Sequence, residues 1–222
     1  MKYATLTTLT LFFGCILGLP SFAQDSKIIV TPPAKKEEAM TLPIQPQTDS
    51  KEGNTVVIKT DKGVIKIKLF TKEAPITTSN FIDLVKKGFY NGTVFHRVVE
   101  GFVIQGGDPL GDGTGDYVDK ETGNPTYIKL ETSPNLTFSQ KGRVGMARTQ
   151  TPDSASCQFF IALESLPSLD PGGVDPNGYA VFGQVTDDTF ETAKKIVADF
   201  KPAFPGSDRP ANPIKITSVT LE

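Results

Sequence analysis

The chain of 222 residues contains no tryptophan and a single histidine, His96. Its two cysteines, Cys15 and Cys157, are too few for a zinc-type cluster, and any Ser-His-Asp set would have to be built on His96. The formal net charge is −2 and the chain has no long block of like charges, so neither nucleic acid nor an anionic membrane is an expected partner. These absences argue against most metal-dependent and nucleophilic chemistries, and we expect neither a metal nor a cofactor.

The first 23 residues have the features of a secretory signal peptide. Lys2 gives a short positive start, residues 6–19 are mainly apolar or threonine, and Ser21-Phe22-Ala23 provides small residues for cleavage after Ala23. The apolar run is shorter than the roughly 18 residues that suggest a membrane span, although lipidation at Cys15 stays open as an alternative. We therefore expect export without stable membrane insertion, to a bacterial periplasm rather than to an organelle lumen or the medium.

Residues 24–53 have the composition of a Pro-rich linker. The segment contains four prolines, mixed charges at residues 35–38 and no aromatic residue, so it cannot bury enough apolar surface to offset its ordering entropy. Residues 54–222 then form one compact domain. Once the signal peptide is removed, Cys157 is the only thiol, and in an oxidising compartment we expect it to be buried or unreactive.

Short runs of β-type residues dominate this domain. The nine runs are 55–59, 64–69, 93–99, 102–105, 127–131, 144–147, 158–163, 180–185 and 214–221. Helical spacing marks two further segments, one from Pro75 to Gly88 and one over residues 188–200. The pattern predicts a mostly β domain, either a closed antiparallel barrel or a sandwich, with two helices closing its ends.

Three stretches place polar side chains among aromatic ones. In F-H-R-V-V-E-G-F-V-I-Q-G-G-D, residues 95–108, Arg97 and Gln105 fall on neighbouring strands and can share one face. The stretches S-C-Q-F-F-I, residues 156–161, and Y-A-V-F-G, residues 179–183, follow downstream. In order and approximate spacing, these residues resemble the cyclophilin family of peptidyl-prolyl isomerases over essentially residues 55–222.

The resemblance implies a closed eight-stranded antiparallel β-barrel capped by two α-helices, so one of the nine runs should not be a separate strand. It implies that Arg97 and Gln105 are catalytic. It also implies substrate contacts from Phe102, Val103, Ala147, Arg148, Gln158, Phe160, Leu169 and Tyr179. Ala147 and Arg148 match the segment whose backbone pairs with the peptide.

The chain departs from the family pattern at three of these positions and at one position next to them. Val103 stands where the family usually has methionine, Arg148 where it has asparagine, and Tyr179 where it has histidine. Ser168 takes the place of the tryptophan that often precedes the matched Leu169.

An isomerase built on these residues would need no nucleophile. Rotation about an X-Pro bond is slow because the nitrogen lone pair is delocalised, and a guanidinium that donates to this nitrogen as the bond twists localises the pair. The expected partners are proline-containing unfolded or partly folded polypeptides, bound by a monomer. Two other classes remain open: a proline-peptide binding module without activity, and a β-barrel binder of carbohydrate or lipid, which the lack of tryptophan disfavours.

The remaining conspicuous residues have structural interpretations. His96 should face away from Arg97 and take a structural, hydrogen-bonded role. Asp108 should serve a turn. The core should contain Phe95, Phe138, Phe159 and Phe182.

Overall fold

The computed structural model describes residues 54–222, so the predicted signal peptide and linker lie outside the described residues. Eight strands and two α-helices make up this part of the chain. The strands are β1 (Thr55–Thr60), β2 (Gly63–Leu69), β3 (Val94–Val99), β4 (Val103–Asp108), β5 (Arg143–Met146), β6 (Phe159–Ala162), β7 (Val181–Val185) and β8 (Ile214–Leu221). The helices are α1 (Pro75–Lys86) and α2 (Phe190–Ala198), and a 3-10 turn covers Pro167–Leu169.

The strands close into a barrel in the order β1-β2-β7-β5-β6-β4-β3-β8. Every neighbouring pair is antiparallel, and β1 pairs with both β2 and the last strand, β8. The eight-stranded barrel with two helices is therefore confirmed, and the sandwich is excluded. Closure leaves the barrel strands between residues 54 and 222 without an unpaired edge.

One of the nine predicted strands is wrong. Residues 127–131 form an irregular segment in which Ile128 makes only an isolated bridge with Ala155. The backbone N–H of Leu130 donates to the carboxylate of Asp153, 2.9 Å away, instead of to a neighbouring strand. The residues of this run favour a β-strand, but none of the eight strands between residues 54 and 222 pairs with them. The Asp153 side chain takes the hydrogen bond that a neighbouring strand would otherwise accept.

Every second residue along β1 and β2 points inward, and these apolar side chains help to fill the barrel interior. Val56, Ile58, Ile65 and Ile67 of β1 and β2 are fully buried, while the intervening residues are more exposed. Phe95, Phe138, Phe159 and Phe182 are also fully buried, which confirms the predicted aromatic core. The helices cover this core with Phe81 and Leu84 of α1 and Phe190, Ala193 and Ile196 of α2.

The N-terminus of α1 is stabilised from a distant loop. Ala74 precedes the helix and has no side chain that can cap it. The Glu131 carboxylate accepts hydrogen bonds from the N–H groups of Ile76, at 3.1 Å, and Thr77, at 2.9 Å. Neither helix between residues 54 and 222 is long and apolar enough to cross a membrane.

Candidate active site

A cavity of about 260 Å³ opens beside β3, β4 and β6. It is lined by Arg97, Phe102, Val103, Gln105, Ala147, Arg148, Phe160, Leu169 and Tyr179. The structure thus brings together nine of the ten side chains that the sequence assigned to the site. The tenth, Gln158, lies behind Gln105 and contacts it directly.

Phe160 provides an aromatic wall of the cavity. Its ring stacks on Phe138 at a centroid distance of 5.4 Å and meets Tyr179 edge-on at 5.7 Å. Gly145, which pairs with Phe160 across the sheet, leaves room for this stack, because a Cβ there would lie 2.5 Å from Phe160 and 2.7 Å from Phe138. A rigid apolar surface of this kind suits a flat or puckered hydrocarbon ring.

Gln105 is oriented by a chain of hydrogen bonds. Its Nε2 donates to Oε1 of Gln158 at 3.0 Å, and Nε2 of Gln158 donates to the carbonyl oxygens of Gly113, at 3.1 Å, and Gly115, at 2.9 Å. These contacts fix which end of each amide carries the donor. The Gln105 amide therefore lies in the pocket wall in a defined orientation.

Asp108 holds the loop that anchors this chain. Its buried carboxylate accepts hydrogen bonds from the backbone N–H groups of Leu110, Asp112 and Gly113 at 2.8, 3.0 and 2.5 Å. The prediction of turn chemistry at Asp108 is confirmed. The same loop that Asp108 organises supplies the carbonyl groups that orient Gln158.

Arg97 reaches the pocket because β3 is irregular. Phe95 pairs with Gly106 and Arg97 pairs with Gln105, so His96 is an extra residue between them. The Arg97 side chain is 37% exposed, and its Nε and Nη2 lie 3.2 and 3.1 Å from Oδ2 of Asp208. Within residues 54–222, Nη1 has no hydrogen-bond partner, so one edge of the guanidinium is free.

Arg148 is used differently, because its side chain is only 1% exposed. Its guanidinium donates to the carbonyl oxygens of Gly178 and Thr149 and forms an ion pair of 2.7 Å with Asp175. It also lies 4.7 Å from the centre of the Tyr179 ring. These contacts join the pocket to the loop of residues 169–179, which is closed at its base by a hydrogen bond from the Tyr179 N–H to the Leu169 carbonyl, 3.1 Å.

His96 is buried, as expected from its direction opposite to Arg97, but its predicted hydrogen-bonded role is wrong. Neither ring nitrogen has a partner among residues 54–222. The bulge places the ring next to the glycine loop, where a Cβ at Gly113 would lie 3.9 Å from Cδ2 and Nε2 of His96. Burial lowers the pKa of His96, which favours the neutral ring.

Cys157 is fully buried, in agreement with the expectation that this thiol is buried or unreactive. Burial raises the pKa of its thiol to about 12, so the reactive thiolate is strongly disfavoured. Its carbonyl accepts a hydrogen bond from the Tyr90 hydroxyl at 2.9 Å, which joins the segment before β6 to the segment after α1.

Comparison with known proteins agrees with this architecture. Residues 55–221 match the family model of the cyclophilin type peptidyl-prolyl cis-trans isomerase/CLD. The chain belongs to the cyclophilin family. The match covers β1 to β8, so the cyclophilin domain accounts for nearly all of the described residues.

Among curated proteins, this cyclophilin is 40% identical over 167 residues to peptidyl-prolyl cis-trans isomerase A of Dickeya dadantii, covering 75% of this chain and 83% of the relative. It is 44% identical over 129 residues to a peptidyl-prolyl cis-trans isomerase of Helicobacter pylori, covering 58% and 71%. It is also 40% identical over 177 residues to the spliceosome-associated protein CWC27 homolog of Danio rerio, covering 80% of this chain but only 34% of that longer protein.

A solved structure shows the same fold. The cyclophilin type peptidyl-prolyl cis-trans isomerase of Cryptosporidium parvum, determined in the presence of the dipeptide Ala-Pro, is 32% identical to this cyclophilin. The two superpose with a TM-score of 0.66 over 76% of this chain and 98% of the other.

Two acidic residues at the site were not found from the sequence. Asp208 contacts Arg97 across 111 residues, and Asp175 contacts Arg148 through a loop with no periodic pattern. Neither residue lies in the motifs that carry the family resemblance. Only the clustering of Gly206, Ser207 and Asp208, which indicates a turn, was a local signal.

Proposed function

We propose that this cyclophilin accelerates cis-trans rotation about X-Pro bonds in exported polypeptides that are unfolded or partly folded. The observation that carries the proposal is the free guanidinium edge of Arg97 beside an apolar cavity whose wall is Phe160. The cavity of about 260 Å³ is smaller than the roughly 300–1,000 Å³ of most small-molecule sites, which suits one ring of a longer peptide.

The chemistry requires only positioning and charge. The planar imide is stabilised by delocalisation of the nitrogen lone pair, with a barrier of about 18–20 kcal/mol. As the bond twists, the lone pair localises on nitrogen and becomes a hydrogen-bond acceptor. Arg97 donates to it at that stage, while Phe160 and its neighbours hold the proline ring and Gln105 contacts the adjoining backbone.

The size of the required effect is modest. Uncatalysed exchange takes tens to hundreds of seconds, or about 10⁻² per second. A turnover of about 10²–10³ per second then needs roughly 5.5–7 kcal/mol of transition-state stabilisation. One charged donor contributes about 2.7–4 kcal/mol in comparable sites, and restraint of the proline ring supplies the remainder.

Related proteins support the assignment of substrate class. The relatives in Dickeya dadantii and Helicobacter pylori are named peptidyl-prolyl cis-trans isomerases, and the Cryptosporidium parvum structure was determined with Ala-Pro. The names concern those proteins, and their identities of 40%, 44% and 32% support transfer of the activity to this chain.

A protease-coupled assay on an Ala-Pro tetrapeptide tests the activity. We expect the cis peptide to be converted at a rate proportional to enzyme concentration. Saturable binding of the peptide without any acceleration would instead support a binding module. Absence of both would favour a barrel that recognises carbohydrate or lipid.

Export is the second part of the proposal, and it rests on residues 1–23, which lie outside the described residues. Production of the full chain in a bacterial host, followed by intact-mass measurement of periplasmic material, tests it. We expect a mature protein that begins at Gln24. A lipid adduct on Cys15, or retention of the uncleaved chain in the cytoplasm, would contradict it.

A further inference from the structure

The segment between α2 and β8 forms a loop that presents one carboxylate to Arg97. Residues 201–211 fold back on themselves through a bridge between Pro202 and Pro210 and a hydrogen bond from the Ala203 N–H to the Arg209 carbonyl, 2.8 Å. Gly206 occupies the turn with a φ of +80°, which favours glycine. The loop therefore has a defined conformation of its own.

Asp208 attaches this loop to β3 by two routes. Its carbonyl oxygen accepts a hydrogen bond of 2.8 Å from the backbone N–H of Val98, the residue after Arg97. Its side-chain Oδ2 accepts a hydrogen bond of 3.2 Å from Nε of Arg97 and lies 3.1 Å from Nη2 in an ion pair. Because the backbone is held next to Arg97, the carboxylate is preorganised to meet the guanidinium.

We propose that Asp208 is a positioning residue for the isomerase reaction, which holds two nitrogens of Arg97 so that the third, Nη1, is directed to the twisting imide. The inference rests on the proposed function. Asp208 is not among the residues that line the pocket, so it would act through Arg97.

Stability alone does not explain the pair. The side chains of Arg97 and Asp208 are 37% and 51% exposed, and exposed ion pairs contribute little to folding. An unrestrained arginine samples many rotamers, however, and must be ordered when the transition state forms. Ordering it beforehand removes that cost from the activation barrier.

The first experiment compares Asp208→Ala with Asp208→Asn in the peptide assay. We expect the alanine variant to lose about tenfold in kcat, since a small misplacement of a catalytic group is costly, while KM stays within twofold. The asparagine variant keeps an oxygen that can accept from Nε and Nη2, so it should recover at least half of the lost activity. An alanine variant with more than half of the parental kcat would overturn the proposal, as would equal activities for the two variants.

Glu222→Ala is the matched control. Glu222 forms an ion pair of 2.8 Å with Lys66 of β2, and neither residue lines the pocket. These side chains are 56% and 34% exposed, close to the values at Asp208 and Arg97. The control should leave kcat unchanged and should alter the melting temperature by about as much as Asp208→Ala. A kcat loss of equal size in the control would show a general effect of removing a surface charge and would overturn the proposal.

A double variant isolates the route through Arg97. If Asp208 acts only by orienting Arg97, adding Asp208→Ala to Arg97→Ala should cause no further loss of kcat/KM. A further tenfold loss would show an independent role and overturn the inference. An inactive parental protein would instead refute the proposed function, so the two failures are distinguishable.

Discussion

Two arginines line the same pocket but have opposite environments. Arg97 is 37% exposed and contacts one carboxylate oxygen, whereas Arg148 is 1% exposed and is surrounded by two backbone carbonyls, the Asp175 carboxylate and the Tyr179 ring. A guanidinium has five donors. At Arg148 most of them are used to fasten the loop of residues 169–179, while at Arg97 one edge has no partner in the part of the chain that the structure describes.

The difference separates the two tasks of the site. The wall containing Leu169 and Tyr179 must keep its shape, and a buried charge that is fully paired makes alternative loop conformations unfavourable. Arg97, in contrast, must stabilise a nitrogen lone pair that localises only during the reaction. Its guanidinium therefore needs an N–H donor that is not already hydrogen-bonded. Residue type alone does not distinguish these roles.

Replacement of Arg97 by alanine should give the largest effect. Loss of a preorganised donor typically lowers the rate by about 10²–10³-fold, and the loss should fall on kcat because the donor contacts the twisted imide and hardly the planar one. Arg97→Lys should recover only part of the rate, since an ammonium lacks the planar fork. Steady-state kinetics and peptide binding, measured separately, check both expectations.

The melting temperature of Arg97→Ala should stay within a few degrees of the parental value, because a half-exposed arginine contributes little to folding. A folded alanine variant that keeps more than about a third of the parental turnover, far outside the range for donor loss, would remove Arg97 from the catalytic role. The binding-module interpretation would then be favoured.

Replacing the partners in the other wall should have a smaller effect on activity and a larger one on stability. Asp175→Ala leaves the buried Arg148 charge without its counter-ion, whereas Arg148→Met removes that charge and leaves Asp175, which is 19% exposed, in contact with water. We therefore expect Asp175→Ala to lower the melting temperature more than Arg148→Met. Both should raise KM several-fold with little change in kcat. The reverse order of stabilities would contradict the assignment of Arg148 as the charge that needs compensation.

The contribution of Asp175 and Arg148 to stability should depend on pH. A hydrogen bond from Arg148 lowers the pKa of Asp175 below its usual range. The carboxylate therefore contributes stability above its unfolded-state pKa, near 4, and this contribution is lost as the pH falls through the lowered folded-state value. In Asp175→Asn the corresponding part of the acid dependence should be missing from thermal denaturation curves.

Replacement of His96 should have the smallest effect of these changes. It also tests whether Arg97 acts as the catalytic cation without help from His96. Burial lowers its pKa, although Asp108 opposes this shift and Arg97 adds to it. The unfolded chain then binds a proton near pH 6.5 while the folded one does not, so stability should decline as the pH drops from about 6.5 toward the folded-state pKa. His96→Gln should remove that decline, which is attributable because the chain has one histidine.

The activity should not follow this titration. In the pH range in which His96 gains its proton, the parental kcat should change no more than that of His96→Gln. A sigmoidal kcat profile that disappears in the variant would show that the ring takes part in proton transfer. The comparison of Arg97 with Arg148 would then omit a catalytic group.

Most of the fold was predictable from the sequence because its physical causes are local. Alternation placed β1, β2 and β8 to within one residue, and Pro75 marked the start of α1. The strand predicted at residues 127–131 was wrong because a strand also needs a neighbouring strand. Here the Asp153 carboxylate accepts the hydrogen bond of the Leu130 N–H instead. The 3-10 turn at Pro167–Leu169 was not predicted, because three residues are too few to show a periodic pattern.

The site was predictable where it follows strand direction and not where it depends on the long loops. Arg97, Gln105 and Phe160 are cross-strand neighbours, so the barrel register places them together. Asp208 and Asp175 are placed by loops whose paths depend on tertiary contacts. Similarly, the sequence did not indicate whether the Arg148 guanidinium would be free, because burial of that side chain depends on the loop of residues 169–179.

Barrel closure also sets the order of events during synthesis. Val56 in β1 pairs with Leu221 in β8, so β1 lacks one of its two neighbours until Leu221 has been synthesised. At typical elongation rates of about 5–20 residues per second, this strand waits on the order of ten seconds for its partner. Until β8 has been synthesised, the barrel cannot close around its core.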